Sequence, residues 1–204
     1  MIMTPGVRRF ALTTHVTSSV GWLGAACVFL AHAAIGLNSE DPQIVRGVYL
    51  VMEPAARFAL LPLATAALAT GLVQSLGTTW GLFRHYWVVF KLLITMCATV
   101  ILLIYMNTFR QMAAVAADPL VDLEMVRNPS PALHAGLALA ALITATALAI
   151  YKPAGLTPYG RRMQAESEKR TVAGNWMYAA AVVAIVLMLL ILAFHLTGHR
   201  PRSH

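Results

Sequence analysis

Apolar residues run along this chain in long unbroken blocks, not in the alternation of a half-buried strand. A helix needs about 20 apolar residues to cross the hydrocarbon core of a bilayer. Five blocks qualify. Residues 10–37, 131–151 and 174–197 carry no formal charge. Residues 58–74 are also charge-free, inside an apolar run that starts near Gly47. Residues 86–109 hold one charge, Lys91. Lipid leaves the backbone no water to bond with, so each spanning segment must satisfy its own amides, as a helix does. The pattern predicts an all-α, polytopic transmembrane bundle of five spans, at about 10–37, 55–76, 86–109, 131–151 and 174–197. The connectors are too short for a second core, so residues 1–204 form one integral membrane domain.

Turn and cap residues mark the ends. Pro5 and Gly6 precede span 1, and Asn38 and Ser39 follow it. Asp41 before Pro42 reads as an N-cap with proline at the first helical position. The helix it starts can continue into span 2, with Pro54 and Pro62 as kink points. Gly77 and Gly81 bracket the next turn, and His85, Tyr86 and Trp87 open span 3 with interfacial aromatics. Asp118 and Pro119 predict a short helix through about Val126, and residues 153–160 read as irregular. The N-terminal block is too long for the 7–15-residue core of a signal peptide, despite Arg8 and Arg9 before it, and is expected to stay as a span.

Composition sharpens this picture. Of 204 residues, 59% are hydrophobic and 11% charged, which excludes disorder, a disulfide scaffold and most soluble enzymes. The 15 basic residues exceed the 8 acidic ones, but they are scattered at span ends, where lipid headgroups account for them; nucleic acid is not an expected partner. Nine of them (Arg8, Arg9, Arg84, Lys91, Lys152, Arg161, Arg162, Lys169 and Arg170) fall on one side of the predicted topology. The positive-inside rule then places the N-terminus in the cytoplasm and the C-terminus outside. Cys27 and Cys97 form no CxxC or zinc spacing and are expected to pack as small apolar residues. Ala138, Ala141, Ala145 and Ala149 make a small-residue stripe suited to close helix packing.

Ionisable groups inside a membrane are costly and mark candidate sites. His32, His134 and His195 lie within about a turn of the same predicted outer membrane face, on spans 1, 4 and 5. Imidazole is the commonest metal ligand and the usual axial ligand of b-type haem. His32 and His134 are the preferred haem or metal pair, with His195 as substitute or third member. His15 and His85, near the inner ends of spans 1 and 3, make a weaker second pair. Arg57 follows Glu53 at i,i+4, an order that favours an ion pair; it is also placed to grip a haem carboxylate. Lys91 is expected to snorkel to the inner surface. No GxSxG, P-loop, HExxH or GxGxxG occurs, so hydrolase and nucleotide chemistry have no motif to rest on.

Met52, Glu53 and Pro54, then Leu61, Pro62 and Leu63, Thr70 and Gly71, Trp80 to Leu82 and Tyr86 to Lys91 form a loose series of motifs. With His15 followed by Trp22, Leu23 and Gly24, it resembles uncharacterised, mainly actinobacterial, predicted integral membrane proteins. It is more distantly similar to the membrane part of the copper-resistance-D type. The resemblance spans roughly residues 10–110 and implies a small multi-span bacterial protein, with copper handling as an alternative to haem. The leading expectation is a b-type haem protein that passes electrons or senses redox state. The alternative is a non-catalytic copper-handling factor, or a scaffold subunit serving a membrane redox or copper partner.

Overall fold

Proline placement decides where the helices begin. The computed structural model describes residues 3–78, 80–125, 127 and 129–167. Pro5 starts α1 (Pro5–Asn38), Pro42 starts α2 (Pro42–Ala55), and Pro131, second in its helix, helps open α5 (Ser130–Tyr151). At these positions the missing N–H costs nothing. Asp41 caps α2 as expected, its Oδ1 accepting from the Gln43 amide at 2.8 Å. A π-turn (Ala56–Leu60) joins α2 to α3 (Leu61–Gly77), so the two run as one helix from Pro42 to Gly77. α4 (Tyr86–Ala117) follows, and α6 (Pro158–Ser167) is a short helix after α5.

The π-turn has a physical cause and a packing consequence. It lies between Pro54 and Pro62, neither of which can donate to the carbonyl four residues back. The Leu61 amide reaches Ala56 O, five residues back. Met52, Ala56, Leu60 and Ala64 are all buried, in three successive steps of four residues. A step of four over-rotates a straight α-helix by about 40°, so three steps drift by about 120°. One wide turn removes much of that drift and keeps all four residues on the core face.

Four helices are long and apolar enough to span a membrane: α1, the joined α2–α3, α4 and α5. The chain is therefore read as a membrane protein. The expected fifth span, 174–197, lies outside the described residues. α1 packs on α2–α3 and α5, and α4 packs on the same two neighbours, which leaves α1 and α4 on a diagonal. Side chains fill that diagonal. Phe29 and Phe109 meet edge to face at 5.2 Å, and Tyr105 stacks edgewise on Phe109 at 4.9 Å. The start of α1 and the ends of α3 and α5 define a near end; the end of α1 and the starts of α2 and α5 define a far end.

Several local expectations change. The short helix expected from Asp118 is a single 3-10 turn, Leu123–Met125, because the connector is bound to α2 instead (below). The stretch expected to be irregular through Gly160 turns helical at Pro158, where Thr157 caps α6 by accepting from the Gly160 amide at 3.0 Å. Thr157 also ties this segment to the α3–α4 turn, donating to Phe83 O at 2.5 Å. A Cβ on Gly160 would collide with the Arg84 carbonyl, so the docking requires glycine. Cys27 and Cys97 are exposed on the bundle's outer face rather than packed in it.

Gly36 shows how tightly α1 meets α2. A Cβ there would lie 3.0 Å from Cζ of Tyr49, a ring that is 1% exposed. Gly24, on the same helix, has open space around it. Alanine for glycine in a helix gains up to about 1 kcal/mol, whereas overpacking costs about 1–3 kcal/mol. Gly36→Ala is therefore expected to lower the unfolding free energy by about 1–2 kcal/mol in detergent, and Gly24→Ala to leave it unchanged or slightly raised. Equal effects at the two positions would show that the α1–α2 contact is not close-packed.

Candidate functional site

One histidine, His15 on α1, is buried in the bundle at 9% exposure. Its partners come from two other helices. Nδ1 lies 3.0 Å from Ala67 O and 3.2 Å from Thr70 Oγ1, both on α3. Thr70 spends its own proton on Ala66 O at 2.5 Å. Both neighbours of Nδ1 therefore act as acceptors, so Nδ1 carries the ring proton and donates it. Nε2 is left with a lone pair. It accepts from Lys91 Nζ at 3.1 Å, on α4. Gly71 makes the site fit: a Cβ there would sit 3.0 Å from His15 Cε1.

This corrects the expectation for Lys91. It does not snorkel to the surface; its long side chain crosses the diagonal between α4 and α1 to reach the imidazole. Among the described residues no carboxylate pairs with it. Asp and Glu at 40, 41, 53, 118, 122 and 124 all sit toward the far end. At the near end of the bundle the Lys91 ammonium is thus set against a neutral acceptor, and no ion pair to it forms among the described residues.

His85 does not join this site. It stands at the N-cap of α4, donates from Nδ1 to Trp80 O at 2.9 Å, and lies against the Trp80 ring at 5.2 Å. Lys152, which ends α5 with φ 44°, covers the other part of this cluster, its Nζ 5.1 Å from the Trp80 ring. The group is an aromatic belt at the near end, and no hydrogen bond or ring contact links His85 to His15.

At the far end the two preferred histidines are placed differently from one another. His134 is exposed; it donates from Nδ1 to Ser130 O at 2.8 Å, and its ring lies 4.3 Å from that of Tyr105. His32 is half-buried, and its Nδ1 is buried without a hydrogen-bond partner. No hydrogen bond or ring contact joins the two. His195 lies outside the described residues. Among the described residues no three His, Cys, Asp or Glu side chains converge as a metal site.

Arg57 lies in the π-turn and pairs with Glu53, its Nε 2.8 Å from Oε1. Sequence reading expected that pair but missed its third member. Arg110 of α4 brings Nε within 4.0 Å of the same oxygen, so one carboxylate stands between two guanidinium groups. The signal available in sequence was only that Arg110, like Glu53, falls near the far end of an apolar span. His15 and Lys91 were visible as polar residues in apolar spans, but their meeting across the diagonal was not.

Comparison with known proteins gives no further guide: no family model, curated protein or solved structure matches the chain.

Proposed function

We propose that this chain is a membrane-embedded haem b protein of the electron-transfer or redox-sensing kind, with its working centre at His15 and Lys91. The observation that carries the reading is the tautomer of His15. A metal-ligating imidazole donates its other N–H to a carbonyl or carboxylate, which fixes the ring and raises its basicity. His15 has that arrangement: Nδ1–H on the Ala67 carbonyl, and the Nε2 lone pair turned toward an electropositive group. Lys91 supplies a cation suited to a haem carboxylate at the same depth. Bound haem would supply one-electron chemistry; His15 would hold it through Nε2 only once Lys91 leaves that atom, and the freed ammonium would then orient a haem carboxylate and offset its charge. The expected outer pair, His32 and His134, becomes secondary, since neither ring is held in the interior in this way. The copper alternative draws no support from the donor set among the described residues.

The distribution of lysine and arginine supports a cytoplasmic N-terminus, and the resemblance carried by residues 10–110 supports a bacterial plasma membrane. In that orientation the His15 centre lies in the cytoplasmic half of the bilayer.

An oxidised-minus-reduced absorption spectrum of the detergent-purified protein, expressed with haem supplementation, tests the proposal. A Soret band and a sharp α-band are expected, lost in His15→Ala, weakened in Lys91→Met and retained in His134→Ala. A colourless wild-type protein, or a spectrum indifferent to His15→Ala, would overturn it.

A further inference from the structure

A second feature at the far end serves no part of that proposal. Between α1, α4 and α5 lies an apolar cavity of about 60 Å³. Its walls include Trp22, Phe29, Tyr105, Phe109 and Ala138, and His134 stands among them. One water molecule needs about 10–15 Å³ on this scale and a cavity that encloses benzene about 150 Å³, so this space excludes a macrocycle and takes a six-membered ring only in part, the rest standing in its open side. Ile101, another wall residue, is 49% exposed, so the cavity opens sideways between helices onto the face that meets lipid.

The polar chemistry of the cavity is one-sided. His134 donates its Nδ1 proton to Ser130 O, which leaves Nε2 as an acceptor with no hydrogen-bond partner among the described residues. The Tyr105 hydroxyl is already spent, donating to Ser130 Oγ at 2.6 Å. What the cavity offers is therefore an aromatic wall and one strong acceptor. The matching ligand has a flat ring, an O–H donor and enough apolar character to arrive through the bilayer. We propose that the cavity binds the ring of a membrane-soluble phenol or hydroquinone, its O–H donating to His134 Nε2 and its apolar tail leaving past Ile101. An apolar lining with one placed polar group is the usual composition of a small-molecule site, here on the scale of a single ring edge. The inference stands apart from the haem reading, because binding here needs neither His15 nor a cofactor.

Titration of the purified full chain with decyl-benzohydroquinone, followed by Trp fluorescence with Trp22→Phe as the signal control, tests it. The dimethyl ether of the same compound keeps the ring and tail but has no donor. Saturable binding is expected, about tenfold weaker for the ether and for His134→Ala, as loss of one buried hydrogen bond implies. Ala138→Leu fills the cavity and is expected to abolish binding while leaving the helical circular dichroism unchanged. 4-Decylphenol binding like the hydroquinone would place recognition in a single O–H, as proposed. Equal affinity for the ether would mean a plain acyl groove, and binding unaffected by Ala138→Leu would place the ligand elsewhere; either overturns the inference.

Discussion

His15→Leu is expected to destabilise the protein by about 3–5 kcal/mol, the cost of stranding one partner of a buried polar pair. The substitution leaves the Lys91 ammonium inside the bundle with its acceptor gone, and no carboxylate among the described residues is paired with it. Lys91→Met removes the charge instead. Lys91 lies little more than a turn inside α4, so its insertion cost is below the ~2.5–3.5 kcal/mol of a charge at a helix centre, and a hydrogen bond to a charged group returns about 1.5–3 kcal/mol. The two nearly cancel, so Lys91→Met alone should lie within about 1 kcal/mol of wild type. The double variant is the informative one. With both polar groups replaced by apolar ones, stability should return to the wild-type level or exceed it. Thermal unfolding in one detergent gives all four corners of this cycle. Additive effects would show that the two side chains are not coupled. A double variant that is stable but holds no haem would mark the pair as retained for function at a cost in stability.

Arg46→Ala is expected to be the second large change, at about 2–4 kcal/mol for a guanidinium whose hydrogen bonds are charge-assisted. Arg46 of α2 donates to four backbone carbonyls around the end of α4. Nη1 reaches Ala116 O at 3.1 Å and Asp118 O at 2.6 Å; Nη2 reaches Pro119 O at 3.3 Å and Val121 O at 3.0 Å. These include terminal carbonyls that no helix can satisfy internally. The planar fork is what spans them, so Arg46→Lys should recover less than half of the loss, because an ammonium has three donors from one point. The same clamp holds residues 118–121 out of a helix, so Arg46→Ala should also make this connector the first site of limited proteolysis. An intact connector with unchanged stability would show that solvent replaces the guanidinium without cost.

The four helices long enough to span, among the described residues, were legible because lipid imposes a one-dimensional rule: backbone amides must be satisfied within the segment, and about 20 apolar residues reveal it. The start of α2 at Asp41 and Pro42 was legible for a similar reason, since capping is local. The connectors were less so. Asp118 and Pro119 carry a helix-start signal, and four carbonyls on Arg46, some 70 residues earlier in the chain, override it. The π-turn was foreshadowed by two prolines, yet its role in holding Met52, Ala56, Leu60 and Ala64 on one face depends on which face the neighbouring helices cover.

The candidate centre divides in the same way. Sequence alone determined that this chain forms helices long and apolar enough to cross a membrane, and that histidines and a few charged residues such as Lys91 and Arg57 interrupt them. Helical phase places residues on one helix, but it does not say which helices stand opposite one another. Only the tertiary structure decided that α1 and α4 face each other across a diagonal, that Gly71 leaves room for an imidazole, and that Lys91 ends at His15 rather than in the headgroups. It also decided that His134 borders a small apolar cavity beside Tyr105. The physical reason is that burial and insertion cost are properties of a segment, whereas a hydrogen bond between side chains 76 residues apart is a property of the packing angle and register of whole helices.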